Sequence, residues 1–233
     1  MKDINLNEIQ LKLYDLLKDS KWNEPLKLFI LSDDFLNILN YLWEESNNGK
    51  KFTPIIKQLF RAFIECPYDQ LRVVVVGQDP YPKIHAADGI AFSCSNKNVT
   101  EASLRFIFKE IERTIYPENK YIRNNDLKRW SNQGILLLNT ALTTEVGKIG
   151  KHYEIWKPFI TFLFDSLKSK NKNIIYVFMG KKSQELRDYV DINNNHIINV
   201  SHPASGVYNK QGWNCNDMFN EINSLLKINR IEW

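Results

Sequence analysis

Apolar positions along the chain switch between two periods. Leu6, Ile9, Leu13, Leu16 and Leu17 recur at three- and four-residue spacing, as on one face of a helix. Phe35, Ile38, Leu39 and Leu42 do the same after Ser32-Asp33-Asp34, residue types that cap a helix N-terminus. Pro54 then precedes Ile55-Ile56-Lys57-Gln58-Leu59-Phe60-Arg61-Ala62-Phe63, a further amphipathic stretch. The pattern predicts helices from about Leu6 to Phe63. Beyond it, Leu71-Arg72-Val73-Val74-Val75-Val76 is β-branched and nearly all apolar, and it ends in Gly77. Such a run predicts a strand buried on both faces, as in a parallel sheet. Similar runs occur at Ile135-Leu136-Leu137-Leu138, Ile174-Ile175-Tyr176-Val177-Phe178-Met179 and Ile197-Ile198-Asn199-Val200. Helical spacing fills 103–115, 156–169, 183–190 and 218–226.

Strand and helix alternate, which argues an α/β fold. The expected architecture is three layers, α/β/α, around a central four-stranded, mainly parallel sheet. Ligands of such sheets bind beyond the carboxyl ends of the strands. The residues that follow the four runs are Gly77-Gln78-Asp79-Pro80-Tyr81, Asn139-Thr140, Gly180-Lys181-Lys182-Ser183 and Ser201-His202-Pro203-Ala204-Ser205-Gly206. A carboxylate, an amide, a basic turn and an imidazole are thereby brought to one edge, the inventory of an active site.

Composition narrows the class. The chain has 233 residues, 43% hydrophobic and 25% charged, an ordinary globular balance that excludes disorder as the main state. No run approaches the roughly 18 apolar residues of a membrane span, and Met1-Lys2-Asp3-Ile4-Asn5 has no apolar core of a signal peptide. Cys66, Cys94 and Cys215 lie far apart, too few and too scattered for a zinc or iron–sulfur site, and they fit a reducing, cytoplasmic setting. Four histidines, at 85, 152, 196 and 202, form no helical metal pair, so no metal is expected. Neither glycine-rich nucleotide-binding motif is present, so no nucleotide cofactor is expected. A net charge of +4 permits DNA binding without arguing for it.

Three motifs carry a resemblance. Gly77-Gln78-Asp79-Pro80-Tyr81 followed by Ala91-Phe92-Ser93 resembles the first signature of family 1 uracil-DNA glycosylases. Leu136-Leu137-Leu138-Asn139-Thr140 resembles the family's uracil-reading strand, and His202-Pro203 with its small-residue loop resembles the third signature. They stand in family order over about 53–219, while residues 1–52 match only loosely. The resemblance implies one glycosylase domain over 1–233, a monomeric, monofunctional hydrolase without cofactors that starts base-excision repair. It flips uracil from single- or double-stranded DNA and breaks the N-glycosidic bond, leaving an abasic site. In a viral source the setting would be the host's replication compartment.

The residue types suit that chemistry. One Asn amide, with one acceptor and two donors, can satisfy both N3–H and O4 of uracil, so Asn139 is expected to read the base. The resemblance places Tyr81 against C5, where a thymine methyl would clash, Phe92 on the face of the base, and Gln78 near O2. It makes His202, neutral, the donor to O2 as negative charge develops there, and Asp79 the carboxylate that faces the cationic sugar and orients water. DNA contacts carry over onto Ser103, Gly180, Lys181, Pro203, Ala204, Ser205, Gly206, Val207 and Tyr208. Lys148, Lys151, Lys181, Lys182 and Lys210 are expected along the DNA, whereas Lys168, Lys170 and Lys172 read as a solvated turn at the opposite edge.

The chain also departs from the family. Pro82 stands where a His usually follows the motif Tyr, as in poxviral members, and Asp88 replaces a His before Gly89. Val99-Thr100-Glu101-Ala102 replaces a proline-bearing loop. Gly206 occupies the register of the Leu that wedges into the vacated stack, so Val207, Tyr208 or another group is expected to take that task. Gly206→Leu is expected to improve action on duplexes. Partner classes implied are uracil-containing DNA, a protein inhibitor and a replication partner. The alternative function is a DNA-binding replication accessory protein on the same fold.

Overall fold

The computed structural model describes residues 5–94, 99–168, 173–210 and 212–233. Three helices open the chain: α1 (Leu6–Asp15), α2 (Asn23–Ile30) and α3 (Asp33–Asn47). Ser32 caps α3 as its residue type predicts, its hydroxyl accepting from the Phe35 N–H. A short strand β1 (Phe52–Thr53) follows, then a 3-10 turn (Ile56–Gln58) and helix α4 (Arg61–Glu65). The amphipathic stretch at 55–63 is therefore broken rather than continuous. Where helix resumes, the Ala62 N–H, in the first turn of α4 and so without an intrahelical partner, bonds the Gly89 carbonyl at 3.2 Å.

Strand β2 (Val73–Gly77), helices α5 (Ala102–Thr114) and α6 (Lys128–Ser131), strands β3 (Ile135–Asn139) and β4 (Thr144–Glu145), and helix α7 (Tyr153–Lys168) come next. The chain ends with β5 (Ile175–Met179), α8 (Lys181–Gln184), β6 (His196–Val200) and α9 (Met218–Leu226). The four main strands pair in the order β3-β2-β5-β6, every pairing parallel. All five residues of β2 and of β5 are buried, as their unbroken apolar runs require. At the edge, β6 alternates, with His196 and Asn199 exposed and Ile198 and Val200 buried.

The helix predicted over 183–190 is the short α8 followed by a 3-10 turn (Arg187–Tyr189). Here Leu186, Tyr189 and Val190 donate to carbonyls three residues back, a tighter path that still turns Val190 inward. The small antiparallel β1–β4 pair was not foreseen, because two residues carry no readable period. Phe164 on α7 stacks over Tyr176 and Phe178 of β5, which fixes α7 on one face of the sheet. Phe219 of α9 meets Trp233 edge-on, and Trp233 meets Trp130. Lys170 and Lys172 lie outside the described residues. No helix among the described residues is long and apolar enough to cross a membrane.

Candidate active site

The sheet order puts β3 on one side of β2 and β5 on the other, so the carboxyl end of β2 is the switch point where a crevice opens. A cleft of about 190 Å³ lies there, lined by Gln78, Asp79, Tyr81, Phe92, Asn139 and His202 among others. All six side chains assigned to chemistry and base reading thus meet in one cavity.

Gly77 and Asn139 are register partners at the ends of β2 and β3. A Cβ on Gly77 would lie 2.7 Å from Asn139 Oδ1 and 2.9 Å from Phe92 Cζ, so only glycine lets both approach the strand end. Phe92 has φ +65°, a conformation that non-glycine residues adopt at a cost. Three bonds hold it there. Ala91 N–H bonds the Leu137 carbonyl and Ser93 N–H the Ile90 carbonyl, while the Tyr81 hydroxyl donates to the Phe92 carbonyl at 2.9 Å. The Phe92 ring lies 5.9 Å, centroid to centroid, from the His202 ring.

His202 Nδ1 accepts from the Ala204 backbone N–H at 3.2 Å. A neutral imidazole whose Nδ1 accepts must carry its proton on Nε2, so the ring is a donor at Nε2. Burial pushes its pKa down to about 4, which keeps it neutral near pH 7. Gly180, at φ +98°, passes so close that a Cβ would sit 2.9 Å from His202 Cβ.

Asp79 is gripped from the start of α7 and the loop before it. Gly150 N–H donates to Oδ2 at 2.7 Å and the Tyr153 hydroxyl to Oδ1 at 3.2 Å. Burial raises the Asp79 pKa, and these two bonds pull against that rise. Thr140 fixes its neighbour: both its hydroxyl, at 2.5 Å, and its N–H, at 3.0 Å, donate to the Gln78 carbonyl. Sequence reading assigned no role to Gly150 or Tyr153, and none to Thr140 beyond its place at the end of the second motif.

Asp88, the departure before Gly89, is fully buried. It pairs with Arg61 at 2.7 Å and accepts from Ser93 Oγ at 2.8 Å and Ile90 N–H at 3.2 Å. It braces the turn that carries Phe92. The Pro82 carbonyl accepts from Gly147 N–H at 2.7 Å, tying the first motif to the loop that grips Asp79.

The last loop corrects one expectation. Gly206 is buried, and a Cβ there would lie 2.7 Å from Trp213 N and 2.8 Å from Phe106 Cε1. A leucine at 206 would drive into that contact instead of pointing outward, so it cannot restore a wedge. The loop's large exposed apolar side chains are Val207, at 59%, and Tyr208, at 92%. Pro203 and Ser103 are buried, whereas Ser205 and Lys181 face solvent and Ala204 is half-buried. Of the lysines expected along DNA, Lys148 is ion-paired with Glu145 and Lys182 with Glu185, each at 2.8 Å. Lys151 and Lys210 are exposed. Among the described residues no group of three or more His, Cys, Asp and Glu could hold a metal ion.

Comparison with known proteins identifies the family. The model of the Uracil DNA glycosylase superfamily matches residues 63–227. The chain belongs to that superfamily. It is 34% identical over 215 residues to the uracil-DNA glycosylase of Borreliella burgdorferi strain ZS7, covering 91% of this chain and 95% of that protein. With the uracil-DNA glycosylase of Acinetobacter baylyi it shares 30% over 223 residues, 95% of this chain and 93% of the other. The crystal structure of mimivirus uracil-DNA glycosylase superposes with a TM-score of 0.81 at 25% identity, covering 98% of this chain and 88% of that one. A mimivirus variant in complex with UGI gives 0.79 at 26% identity, covering 91% of this chain and 85% of that one. As a uracil-DNA glycosylase superfamily member, the chain carries its motif residues in the one cleft at the sheet's switch point.

Proposed function

We propose that this uracil-DNA glycosylase divides the work of excision among six side chains of the cleft. A uracil turned out of the DNA stack enters with its ring over Phe92. Asn139 pairs with N3–H and O4; cytosine, with the opposite donor pattern on that edge, leaves polar atoms unpaired and is rejected. Tyr81 occupies the space beside C5 that a thymine methyl would need, and Gln78 lies toward O2.

The N1–C1′ bond breaks with its electron pair leaving on the base. The departing uracil gathers negative charge at O2, where the Nε2–H of His202 donates. Positive charge grows on the sugar, where the Asp79 carboxylate faces it and orients a water that adds to C1′, the water's released proton passing by way of the carboxylate and solvent to the uracil anion. Such preorganised partners act on charge as it develops, without reorganising first. The observation that carries this reading is the fixed tautomer of His202: Nδ1 is occupied by Ala204 N–H, leaving Nε2–H for the substrate.

Tyr208, the most exposed aromatic of the last loop, is the group we assign to fill the vacated stack. The continuous buried core from Leu13 to Trp233 supports treating 1–233 as one glycosylase domain. Three buried cysteines, far apart in the sequence, suit a reducing cytoplasm. A protein inhibitor of the kind bound to the mimivirus enzyme would meet this same face. Excision from a single-stranded oligonucleotide bearing one uracil, read after alkaline cleavage, tests the reading. Cleavage at uracil and none in a thymine control is expected; a silent enzyme, or equal cutting of both, contradicts it.

A further inference from the structure

The loop that grips Asp79 is a built device. Gly150 and Tyr153 stand three residues apart, closed into a turn by the Tyr153 N–H on the Gly150 carbonyl at 3.3 Å. From this turn one backbone N–H and one hydroxyl reach the two oxygens of the same carboxyl group. The turn is anchored beneath by His152, which is buried and hydrogen-bonded through Nδ1 to Thr143 Oγ1 at 2.8 Å. Trp156 Nε1 donates to that same hydroxyl oxygen at 2.8 Å.

The Tyr153 ring is itself immobilised. It lies against Gly150, where a Cβ would come within 2.7 Å of Tyr153 Cε2, and Lys182 Nζ sits 5.4 Å from its centroid. The polar hydrogens on Asp79 come from the Gly150 backbone and the Tyr153 hydroxyl.

We infer that Tyr153 is a positioning residue for uracil excision, its hydroxyl fixing the rotation of the Asp79 carboxyl so that the remaining lone pairs face the sugar and the attacking water. Each carboxylate oxygen has room for a second partner, so the clamp does not block the chemistry. The inference rests on the role given to Asp79 above. The groups that bear on Asp79 are the Gly150 N–H and the Tyr153 hydroxyl; around them, Lys182 lies against the Tyr153 ring with its partner Glu185, and His202 lines the same cleft. A hydroxyl that donates to a carboxylate favours its ionised form. Deleting it therefore lets Asp79 protonate at a higher pH and rotate.

The test compares wild type, Tyr153→Phe and Asp79→Asn on a single-stranded uracil substrate over a range of pH. Phenylalanine keeps the ring against Gly150, and thermal unfolding checks that it folds. Tyr153→Phe is expected to lower kcat by roughly 10- to 100-fold, as for a lost hydrogen bond to a charged group. KM should stay unchanged and the acid limb of the kcat profile should move to higher pH. Wild-type kcat, or a lower kcat with an unmoved acid limb, would overturn the inference. Full activity of Asp79→Asn would instead bring down the reading of Asp79 itself. An inactive Asp79→Asn beside an unaltered Tyr153→Phe brings down the clamp alone.

Discussion

Gly77 and Asn139 meet across the β2–β3 boundary so closely that a methyl group on Gly77 would lie 2.7 Å from Asn139 Oδ1. The same methyl would press on the Phe92 ring at 2.9 Å. The amide proposed to read the base and the ring proposed to stack on it are thus seated against one bare backbone position. Gly77→Ala is expected to displace both and to cut excision on the order of 10²-fold, the scale of an ångström's misplacement. Steady-state rates beside a thermal melt would check it. An unimpaired Gly77→Ala enzyme would mean that the amide is not held where the base must bind.

Base choice separates the two jobs of Tyr81. Its ring fills space beside the base, while its hydroxyl secures the Phe92 carbonyl. Tyr81→Ala should admit some thymine, whereas Tyr81→Phe should lose rate without gaining thymine. Asn139→Asp should admit some cytosine, because a carboxyl group can present a different hydrogen-bond pattern. Product assays on thymine-, cytosine- and uracil-bearing strands distinguish these outcomes. If no variant touches a normal base over long incubation, the pocket assignment fails.

The last loop gives opposite expectations for two neighbours. Tyr208→Ala should slow excision from duplex DNA more than from single strands, since unstacking costs a few kcal/mol in a duplex and much less in a single strand. Gly206→Leu should lower stability by about 1–3 kcal/mol through overpacking against Phe106 and Trp213 and bring no gain on duplexes. Strand preference measured for both variants decides; a duplex gain from Gly206→Leu would refute the buried placement.

Two histidines tie stability to pH. Burial pushes His152 and His202 each down to about 4 in the folded chain, from an ordinary 6.5. Between those values the unfolded chain binds more protons, so stability rises with pH through that window and is lost as pH falls from 6.5 toward 4. Urea unfolding at several pH values should show this slope, and His152→Gln should flatten part of it. A stability unchanged from pH 7 to 4.5 would contradict the neutral, buried state of both rings.

Much of this was legible in the residues. The four strands and the switch-point site follow from buried apolar runs and the polar residues after them, and the structure brings Asp79, Asn139 and His202 into one cleft. What stayed hidden depends on distance in space. Tyr153 lies ahead of the helical spacing read over 156–169, and nothing local says that its hydroxyl reaches a carboxylate 74 positions earlier. Asp88 reads as a loop carboxylate until Arg61 closes on it. Gly206 reads as an open loop position until Phe106 and Trp213 are seen to pack on it.

The account stands most directly on the pairing of Asp79 and His202 at one glycosidic bond. Single-turnover excision of uracil by wild type, Asp79→Asn and His202→Leu, each checked for folding by circular dichroism, measures it. Loss of one preorganised electrostatic partner should cost on the order of 10²–10³ in rate for each variant. Folded variants that release uracil as fast as the wild type would contradict the account.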